Sequence, residues 1–229
     1  MGSTNSSSPS RFPMTGFCDR LRLGSEKIAV AISDEQISLM AAHAIELIQW
    51  NKKINLTAIV DPLAMAEKHF IDAMAVQPFL GKENRLMDMG TGGGFPSIPL
   101  KILNPSLSFV LVDSSRKKVT FLKHVIRVLG LKDIDAIHSR VEDLAHNAIH
   151  AKTYDAVMSR AFTALEKFAG LALPLLKQGG TIYALKGKQA ADEITPALIA
   201  QFEIRTDHYQ LPFEKSDRYM IQLSEKTSN

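Results

Sequence analysis

The feature that most constrains the fold is an alternation of short apolar runs with helical stretches from residue 85 onwards. The apolar runs span residues 85–89, 108–112, 134–138, 154–158, 180–185, 203–209 and 219–223. Helical patterns occupy residues 98–103, 116–129, 142–149, 164–176 and 190–202. Strands that alternate with helices predict an α/β fold with a mainly parallel sheet. No helix-length segment separates the last two runs, so we expect them to pair as an antiparallel hairpin at the end of the sheet.

Helical patterns also precede this alternation. Ser33 and Gln36 have the spacing of a capping box at a helix start. A second helix is predicted to begin at Asp61 and Pro62, because proline suits the first helical position. The first ten residues are Ser-rich, and we assign residues 1–32 to an N-terminal tail that is partly disordered. The remainder, 33–229, is expected to be a single domain with a helical preface over 33–82 and an α/β core over 83–229.

Composition excludes several classes of protein. The single cysteine, Cys18, cannot form an internal disulfide or a zinc cluster built on thiolates. The sequence contains no apolar run near the ~20 residues that cross a bilayer, and its first ten residues lack the pattern of a signal peptide. His146 and His150 are four residues apart but have no obvious third ligand. We therefore expect a cytoplasmic protein with no metal and no membrane partner.

A glycine-rich loop follows the first predicted strand of the core and reads LMDMGTGGGFP over residues 86–96. Gly90, Gly92 and Gly94 would allow positive φ angles and close approach of a ligand to the backbone. In open α/β sheets, ligands bind at the carboxyl ends of the strands. The loop is therefore a candidate cofactor site, and the alternative is a flexible turn that binds nothing.

The spacing of the glycines distinguishes between cofactors. A dinucleotide fingerprint needs a third glycine where this sequence has Phe95 or Ser97, which disfavours a nicotinamide cofactor. A P-loop would need Gly-Lys-Ser/Thr after the glycines, and none follows. The pattern instead resembles the acidic-x-Gly-x-Gly-x-Gly loop of S-adenosylmethionine (SAM) methyltransferases. In that arrangement Asp88 faces the methionine end of SAM, and Asp113, at the end of the next strand, accepts the ribose hydroxyls.

Segments outside the loop make the resemblance more specific. They read WNKKINLTAI over residues 50–59, KHFID over 68–72, GFPSIP over 94–99, SRVE over 139–142, SRAF over 159–162 and YALKG over 183–187. Together they resemble the bacterial RsmG (GidB) family of 16S rRNA guanine-N7 methyltransferases, over roughly residues 33–223. The resemblance implies a class I SAM-methyltransferase (Rossmann-like) fold with a seven-stranded, mostly parallel sheet. Its last strand is antiparallel, and an N-terminal helical extension precedes it.

The same resemblance implies an activity and a set of cofactor contacts. A methyl group passes from SAM to N7 of one guanine in 16S rRNA near the decoding centre, which leaves S-adenosylhomocysteine as product. The residues that the family pattern assigns to SAM are Gly90, Phe95, Val141, Glu142 and Arg160, with Asp113 in the ribose role common to the class. The substrate is 16S rRNA or the small ribosomal subunit, and we expect the enzyme to be a monomer.

The available residues suit attack by a ring nitrogen. Cytosine-5 methylation needs a cysteine nucleophile, and Cys18 lies in the unassigned N-terminal stretch. Methylation of an exocyclic amine usually uses Asn/Asp-Pro-Pro-Tyr/Phe after the fourth strand, where this chain has SRAF. Guanine N7 has a free lone pair and needs no deprotonation, so catalysis can rest on positioning and electrostatics. We therefore predict no general base, and we name Arg160 as the catalytic positioning residue.

Basic residues provide candidates for RNA contact. Those singled out are Arg116, Lys117, Lys118, Lys123, Arg140 and Lys186. Lysine and arginine side chains that neutralise phosphates supply much of nucleic-acid affinity. The alternative for the run that starts at Arg116 is the solvated face of an amphipathic helix. A second alternative concerns the reaction, since SAM could serve methylation of a small molecule or a protein instead of RNA.

His69 and Asp72 lie three residues apart in the second predicted helix. They could line the guanine pocket, together with Asn51 and Asn55. They could equally form hydrogen bonds that attach the helical preface to the sheet. We favour the second interpretation.

Overall fold

A computed structural model describes residues 12–160, 163–188 and 190–226. Residues 1–11 of the predicted tail and Ala161 and Phe162 of the SRAF segment lie outside the described residues. Among those described, no helix is both long and apolar enough to cross a membrane.

The described residues form one seven-stranded sheet. The strands are β1 Arg85–Met89, β2 Ser108–Asp113, β3 Ile134–His138, β4 Tyr154–Arg160, β5 Leu176–Lys186, β6 Phe202–Gln210 and β7 Asp217–Glu225. Their order is β3-β2-β1-β4-β5-β7-β6. β1 to β5 pair in parallel, and β7 runs antiparallel to both β5 and β6. The predicted fold class and the terminal hairpin are confirmed.

Helices cover both faces of the sheet. They are α1 Met14–Lys27, α2 Asp34–Asn51, α3 Pro62–Met65, α4 Asp72–Met74, α5 Ser97–Leu103, α6 Arg116–Val128, α7 Val141–Leu144, α8 Leu165–Ala172 and α9 Pro196–Gln201. Short 3₁₀ segments occupy Gln77–Phe79, Leu173–Leu175 and Ala191–Glu193. Neighbouring residues of β1 face opposite layers of the core, with Leu86 in one buried cluster and Met87 in the other. This alternation follows from the two-residue repeat of a strand.

Within the predicted N-terminal tail, residues 14–27 form helix α1. Phe17, Leu21 and Gly24 recur at helical spacing and are buried. A Cβ at Gly24 would overlap the side chain of Ile71, so glycine is what lets α1 approach the helical preface this closely. The helix was missed because its apolar stripe is short and contains a glycine.

The two preface helices form where predicted. Ser33 and Gln36 make both hydrogen bonds of the capping box at the start of α2. Asp61 accepts a hydrogen bond from Ala64 N at the start of α3. This second helix is not uniform, because a π-helical turn, Ala66–Ile71, separates α3 from α4. π-Turns within helices are rare and frequently occur at functional sites.

Two of the predicted core helices are shorter than their sequence patterns. The pattern over 142–149 yields only α7, since the Asn147 side chain accepts from Ile149 N and so competes with helix continuation. The pattern over 190–202 is interrupted before Pro196, which disfavours helical geometry in the preceding residue. Thr195 instead caps α9 by accepting from Leu198 N.

Candidate active site

The candidate site lies where β2, β1 and β4 end next to one another. Asp113 ends β2, Arg160 ends β4, and the glycine loop follows Met89 at the end of β1. Because these three strands are parallel neighbours, their carboxyl ends meet at one edge of the sheet. Residues distant in sequence are thereby brought to one cleft.

The glycine loop has the backbone conformation that its sequence predicts. Gly90, Gly92 and Gly94 have φ angles of 68°, 59° and 88°, in the region that favours glycine. Gly90 N donates to Val112 O at 2.8 Å, which ties the loop to β2. A Cβ at Gly94 would lie 2.4 Å from Cδ1 of Ile98, so the start of α5 packs directly on the loop.

Asp113 is held by the backbone on both sides. Its Oδ2 accepts from Gly92 N at 3.2 Å and its Oδ1 accepts from Ser115 N at 2.8 Å. The ammonium of Lys118 lies 4.0 Å from Oδ2. Since an ionised carboxylate can accept about four hydrogen bonds, acceptor capacity remains for a ligand. The ribose role of Asp113 stays a prediction.

Asp88 is fully buried and lies beneath the glycine loop. Ser97 Oγ donates to its Oδ2 at 2.6 Å, while Oδ1 completes no hydrogen bond within the described part of the chain. Burial raises the pKa of this carboxyl to about 7, against the opposing effects of Ser97, Thr91 and Arg160. The side chain supports the loop from inside, and a contact of Asp88 with the methionine end of SAM stays a prediction.

Arg160 is bound by residues of the helical preface. Its Nη1 donates to Lys68 O at 2.9 Å and to Asp72 Oδ2 at 3.3 Å, and its Nη2 donates to His69 Nδ1 at 3.1 Å. The guanidinium also lies 5.4 Å from the ring centroid of Phe95. These contacts show that His69 and Asp72 attach the preface to the sheet, as favoured from the sequence, and do so at the candidate site.

Three rings stack beside the glycine loop. Phe95 lies between His43 and His69, with centroid distances of 4.9 Å and 4.6 Å. His43 Nε2 donates to Gly93 O at 2.9 Å, and burial lowers the pKa of His43 to about 4, so the ring is neutral. Sequence reasoning missed His43. The available signal was its place on the apolar face of α2, between Met40 and Leu47.

Asn51 has a structural role in the turn after α2. Its Oδ1 accepts from Leu56 N and Thr57 N, and its Nδ2 donates to Thr57 O. One asparagine side chain therefore closes the turn over residues 51–57. This turn places the hydroxyl of Thr57 against His69.

Arg140, Val141 and Glu142 follow β3 at the far side of the cleft. Val141 is buried, whereas Arg140 and Glu142 are exposed. The Ser139 N–H donates to Asp113 O, so this segment adjoins the end of β2. The geometry is compatible with the predicted cofactor contacts and leaves the Glu142 side chain accessible.

The predicted RNA-contact residues differ in accessibility. Arg116, Lys117 and Lys123 are exposed on α6, whose opposite face is buried. Lys186 is different, because its Nζ donates to Thr163 O at 2.9 Å and pairs with Glu193 Oε2 at 2.7 Å. Its side chain is only 11% exposed, so it is not available as a free cation in this structure.

Comparison with known proteins agrees with this geometry. Residues 36–220 match the family model described as rRNA small subunit methyltransferase G (GidB). The chain is 39% identical over 211 residues to Ribosomal RNA small subunit methyltransferase G of Geobacter sulfurreducens, covering 90% of this chain and 96% of that protein. It is 36% identical over 222 residues to the protein of the same name from Halalkalibacterium halodurans, covering 94% and 92%.

Solved structures show the same fold at low sequence identity. A SAM dependent methyltransferase from Aquifex aeolicus superposes with a TM-score of 0.55 at 17% identity, covering 78% of this chain and 98% of that one. The ribosomal protein L11 methylase from Lactobacillus delbrueckii subsp. bulgaricus gives 0.52 at 18% identity, covering 69% and 78%.

The sheet order, the glycine loop and the Asp113 carboxylate define a class I SAM-dependent methyltransferase. The positive-φ glycines and the remaining acceptor capacity of Asp113 fit SAM as the cofactor. Within that class, the chain belongs to the rRNA small subunit methyltransferase G (GidB) family. The expected family, enzyme class and cofactor are confirmed.

Proposed function

We propose that this enzyme methylates N7 of a guanine in 16S rRNA near the decoding centre of the small ribosomal subunit. The observation that supports this most directly is the family match over residues 36–220, a segment that contains the whole candidate site. Ribosomes and their precursors are cytoplasmic, so we also propose a cytoplasmic enzyme, acting as a monomer. Residues 33–229 are proposed to act as one domain.

The chain's own residues account for binding and orientation. The backbone of Gly90, Gly92 and Gly94 would hold SAM together with the carboxylate of Asp113, and Val141 and Glu142 would close the far side. When bound, SAM supplies an electrophilic methyl group on a sulfonium sulfur. The N7 lone pair needs no base to become nucleophilic, so the protein contributes alignment of the reacting atoms and electrostatic stabilisation.

Arg160 is the group best placed to orient the substrate. An arginine has five N–H donors and no acceptor, and three of the five are used by Lys68, His69 and Asp72. The remaining two can reach a ligand because the side chain is 22% exposed. In the major groove guanine presents O6 and N7 as acceptors. A bond to N7 would occupy the attacking lone pair, so we propose that Arg160 donates to O6 or to an adjacent phosphate.

The exposed cations of α6, with Arg140, are proposed to contact the RNA backbone. Lys118 lies near Asp113 and is proposed to act at the boundary between cofactor and RNA. The pairing of Lys186 with Glu193 favours a structural role over the predicted RNA contact.

Methyl transfer from radiolabelled SAM tests the proposal. The acceptors are small subunits from cells that lack this enzyme and, separately, protein-free 16S rRNA. Borohydride reduction and aniline scission then locate any 7-methylguanine. Label at one guanine near the decoding centre is expected, and Arg160→Ala should lose at least ~100-fold in turnover at saturating SAM. SAM binding without label in RNA would contradict the proposal and favour a small-molecule or protein substrate.

A further inference from the structure

The guanidinium of Arg160 is held by one short segment of the preface. Lys68 contributes its carbonyl oxygen, His69 a ring nitrogen and Asp72 a carboxylate oxygen, all within 3.3 Å of Nη1 or Nη2. Residues 68–71 of this segment lie in the π-helical turn, and Asp72 follows it directly. The segment 68–72 thus presents one backbone and two side-chain acceptors to a single arginine.

The hydrogen-bond partners of His69 fix its tautomer. Arginine can only donate, so Nδ1 of His69 must accept the bond from Nη2 of Arg160. The ring proton therefore resides on Nε2, which donates to Thr57 Oγ1 at 2.8 Å. Thr57 Oγ1 also accepts from Ile59 N at 3.0 Å. A continuous set of hydrogen bonds connects the turn after α2 to the guanidinium.

The ring of His69 has little freedom to reorient. It is 7% exposed and stacks on Phe95 with an interplanar angle of 20°. Burial, assisted by the positive charge of Arg160, lowers the pKa of His69 to about 3. The ring therefore stays neutral at physiological pH, and Nδ1 remains an acceptor.

We propose that His69 is a positioning residue for methyl transfer, which acts by fixing the plane of the Arg160 guanidinium so that its two unused donors face the substrate. The inference rests on the proposed function, in which Arg160 contacts the guanine nucleotide. Thr57 acts through His69, because its hydroxyl oxygen accepts from Nε2 and so holds the ring in the orientation in which Nδ1 accepts from Arg160. If His69 served only to fill space, it would not matter which of its two ring nitrogens accepts a hydrogen bond.

A matched pair of substitutions separates positioning from packing. In His69→Asn, the side-chain oxygen can occupy the place of Nδ1 and accept from Arg160, while the bond to Thr57 is lost. In His69→Gln, the amide reaches the place of Nε2 and keeps Thr57, while the bond to Arg160 is lost. Both variants lose the ring stacked on Phe95, so their stabilities should be similar.

Two readouts address the guanidinium and the reaction separately. Nitrogen-15 NMR of arginine side chains reports whether rotation of the Arg160 guanidinium is slow, without any need for turnover. We expect slow rotation in the wild type and in His69→Asn, and averaged signals in His69→Gln. We expect kcat to fall at least roughly tenfold further in His69→Gln than in His69→Asn, with the Kd for SAM changed less than threefold between the two variants.

A second pair keeps the test informative if either His69 variant fails to fold. Thr57→Val removes the hydroxyl at nearly constant volume, and Thr57→Ser retains it. The proposal expects Thr57→Val to lower kcat and to loosen the guanidinium signal, and Thr57→Ser to restore both. Equal kcat and equal Arg160 signals within each pair would overturn it. Absence of RNA methylation by the wild type would instead contradict the proposed function, and the NMR result would still decide whether His69 fixes Arg160.

Discussion

Gly92 and Gly130 have nearly the same backbone conformation, with φ angles of +59° and +63°. A Cβ at Gly130 would meet nothing within 4 Å, and one at Gly92 would meet only Gly90 O at 4.0 Å. Alanine at either position therefore adds left-handed strain of about 1–2 kcal/mol without a clash. Gly92→Ala also places a methyl group in the loop assigned to SAM.

We expect urea unfolding to show similar losses of stability for Gly92→Ala and Gly130→Ala. Calorimetric titration with SAM should show a weakened Kd for Gly92→Ala alone. If both variants bound SAM as the wild type does, backbone approach at Gly92 would not be part of the cofactor site.

A second prediction at the scale of one residue concerns Asp88 and the pH dependence of stability. Its pKa rises from 3.8 in the unfolded chain to about 7 in the fold because the charged form is desolvated. The folded state therefore binds more protons between these values, so the stability from this residue is full below pH ~4 and is lost as the pH rises towards 7. Asp88→Asn removes this dependence.

In urea unfolding between pH 4 and 8, the free energy of unfolding of Asp88→Asn should rise relative to that of the wild type as the pH rises. The expected difference reaches up to ~4 kcal/mol. The control is Asp135→Asn, at an exposed position of β3. A difference between Asp88→Asn and the wild type that stayed constant with pH would mean that the buried carboxyl does not titrate in this range.

At the residue scale, sequence placed the principal polar groups of the site but not how they are held. Asp113 was found because it ends the strand that follows the glycine loop, and strand ends converge in parallel sheets. Arg160 was found through the family resemblance, which assigns it a cofactor contact. The contacts of Arg160 with His69 and Asp72 join residues about 90 positions apart. No local sequence pattern encodes such a long-range pairing. From the sequence alone, attachment of the preface to the sheet through His69 and Asp72 was therefore one of two alternatives, beside a role in the guanine pocket.

At the level of elements, helix α1 offers a direct test of whether the N-terminal segment belongs to the fold. Leu21 is completely buried, whereas Leu23 on the same helix is 50% exposed. The same substitution can therefore be compared at two depths. Leu21→Ala should lower the free energy of unfolding by ~2–5 kcal/mol through reduced burial and a residual cavity.

Leu23→Ala should change the free energy of unfolding by no more than ~0.5 kcal/mol, as is usual for surface positions. Chemical unfolding of both variants checks the comparison. Equal, small effects would mean that α1 is only loosely attached and that the boundary predicted at residue 32 is correct in practice.

Element boundaries depend on interactions that composition and periodicity do not show. The alternation of strands and helices predicted every strand of the sheet, because two-residue and 3.6-residue repeats are local properties. The π-helical turn was not predictable, since nothing in Ala66–Ile71 departs from an ordinary helical pattern. Its geometry is stabilised by tertiary partners, among them Arg160 through Lys68 O.

At the scale of the whole molecule, preface and sheet share one core. The buried cluster on one face of the sheet runs from Phe17 in α1 to Met220 in β7 and includes residues of α2 and of the π-turn. Glu67 of that turn also accepts from the backbone N–H groups of Phe213 and Glu214, between β6 and β7. The preface therefore folds as part of the catalytic unit, which explains how it can position a residue at the end of β4.

The distribution of charge gives the last prediction. Arg116, Lys117 and Lys123 are exposed on α6, which follows the carboxyl end of β2, on the side of the candidate site. Lys82, Lys132 and Lys152 are exposed near the amino ends of β1, β3 and β4, at the opposite edge of the sheet. Replacing either set by glutamine removes the same charge, so only position differs.

If α6 follows the RNA backbone, the α6 triple variant should reduce the slope of log Kd against log salt for 16S rRNA by roughly 2. Each phosphate that a cation neutralises on a single strand adds ~0.7 to that slope, and three cations are removed. The opposite-edge triple variant should leave the slope nearly unchanged. Filter binding across a salt series measures both, and equal thermal unfolding confirms that the fold is intact. Equal changes in slope would show that only net charge matters, and that α6 is the solvated face of an amphipathic helix. A difference confined to α6 would place the RNA along the edge of the sheet that also holds Asp113 and Arg160.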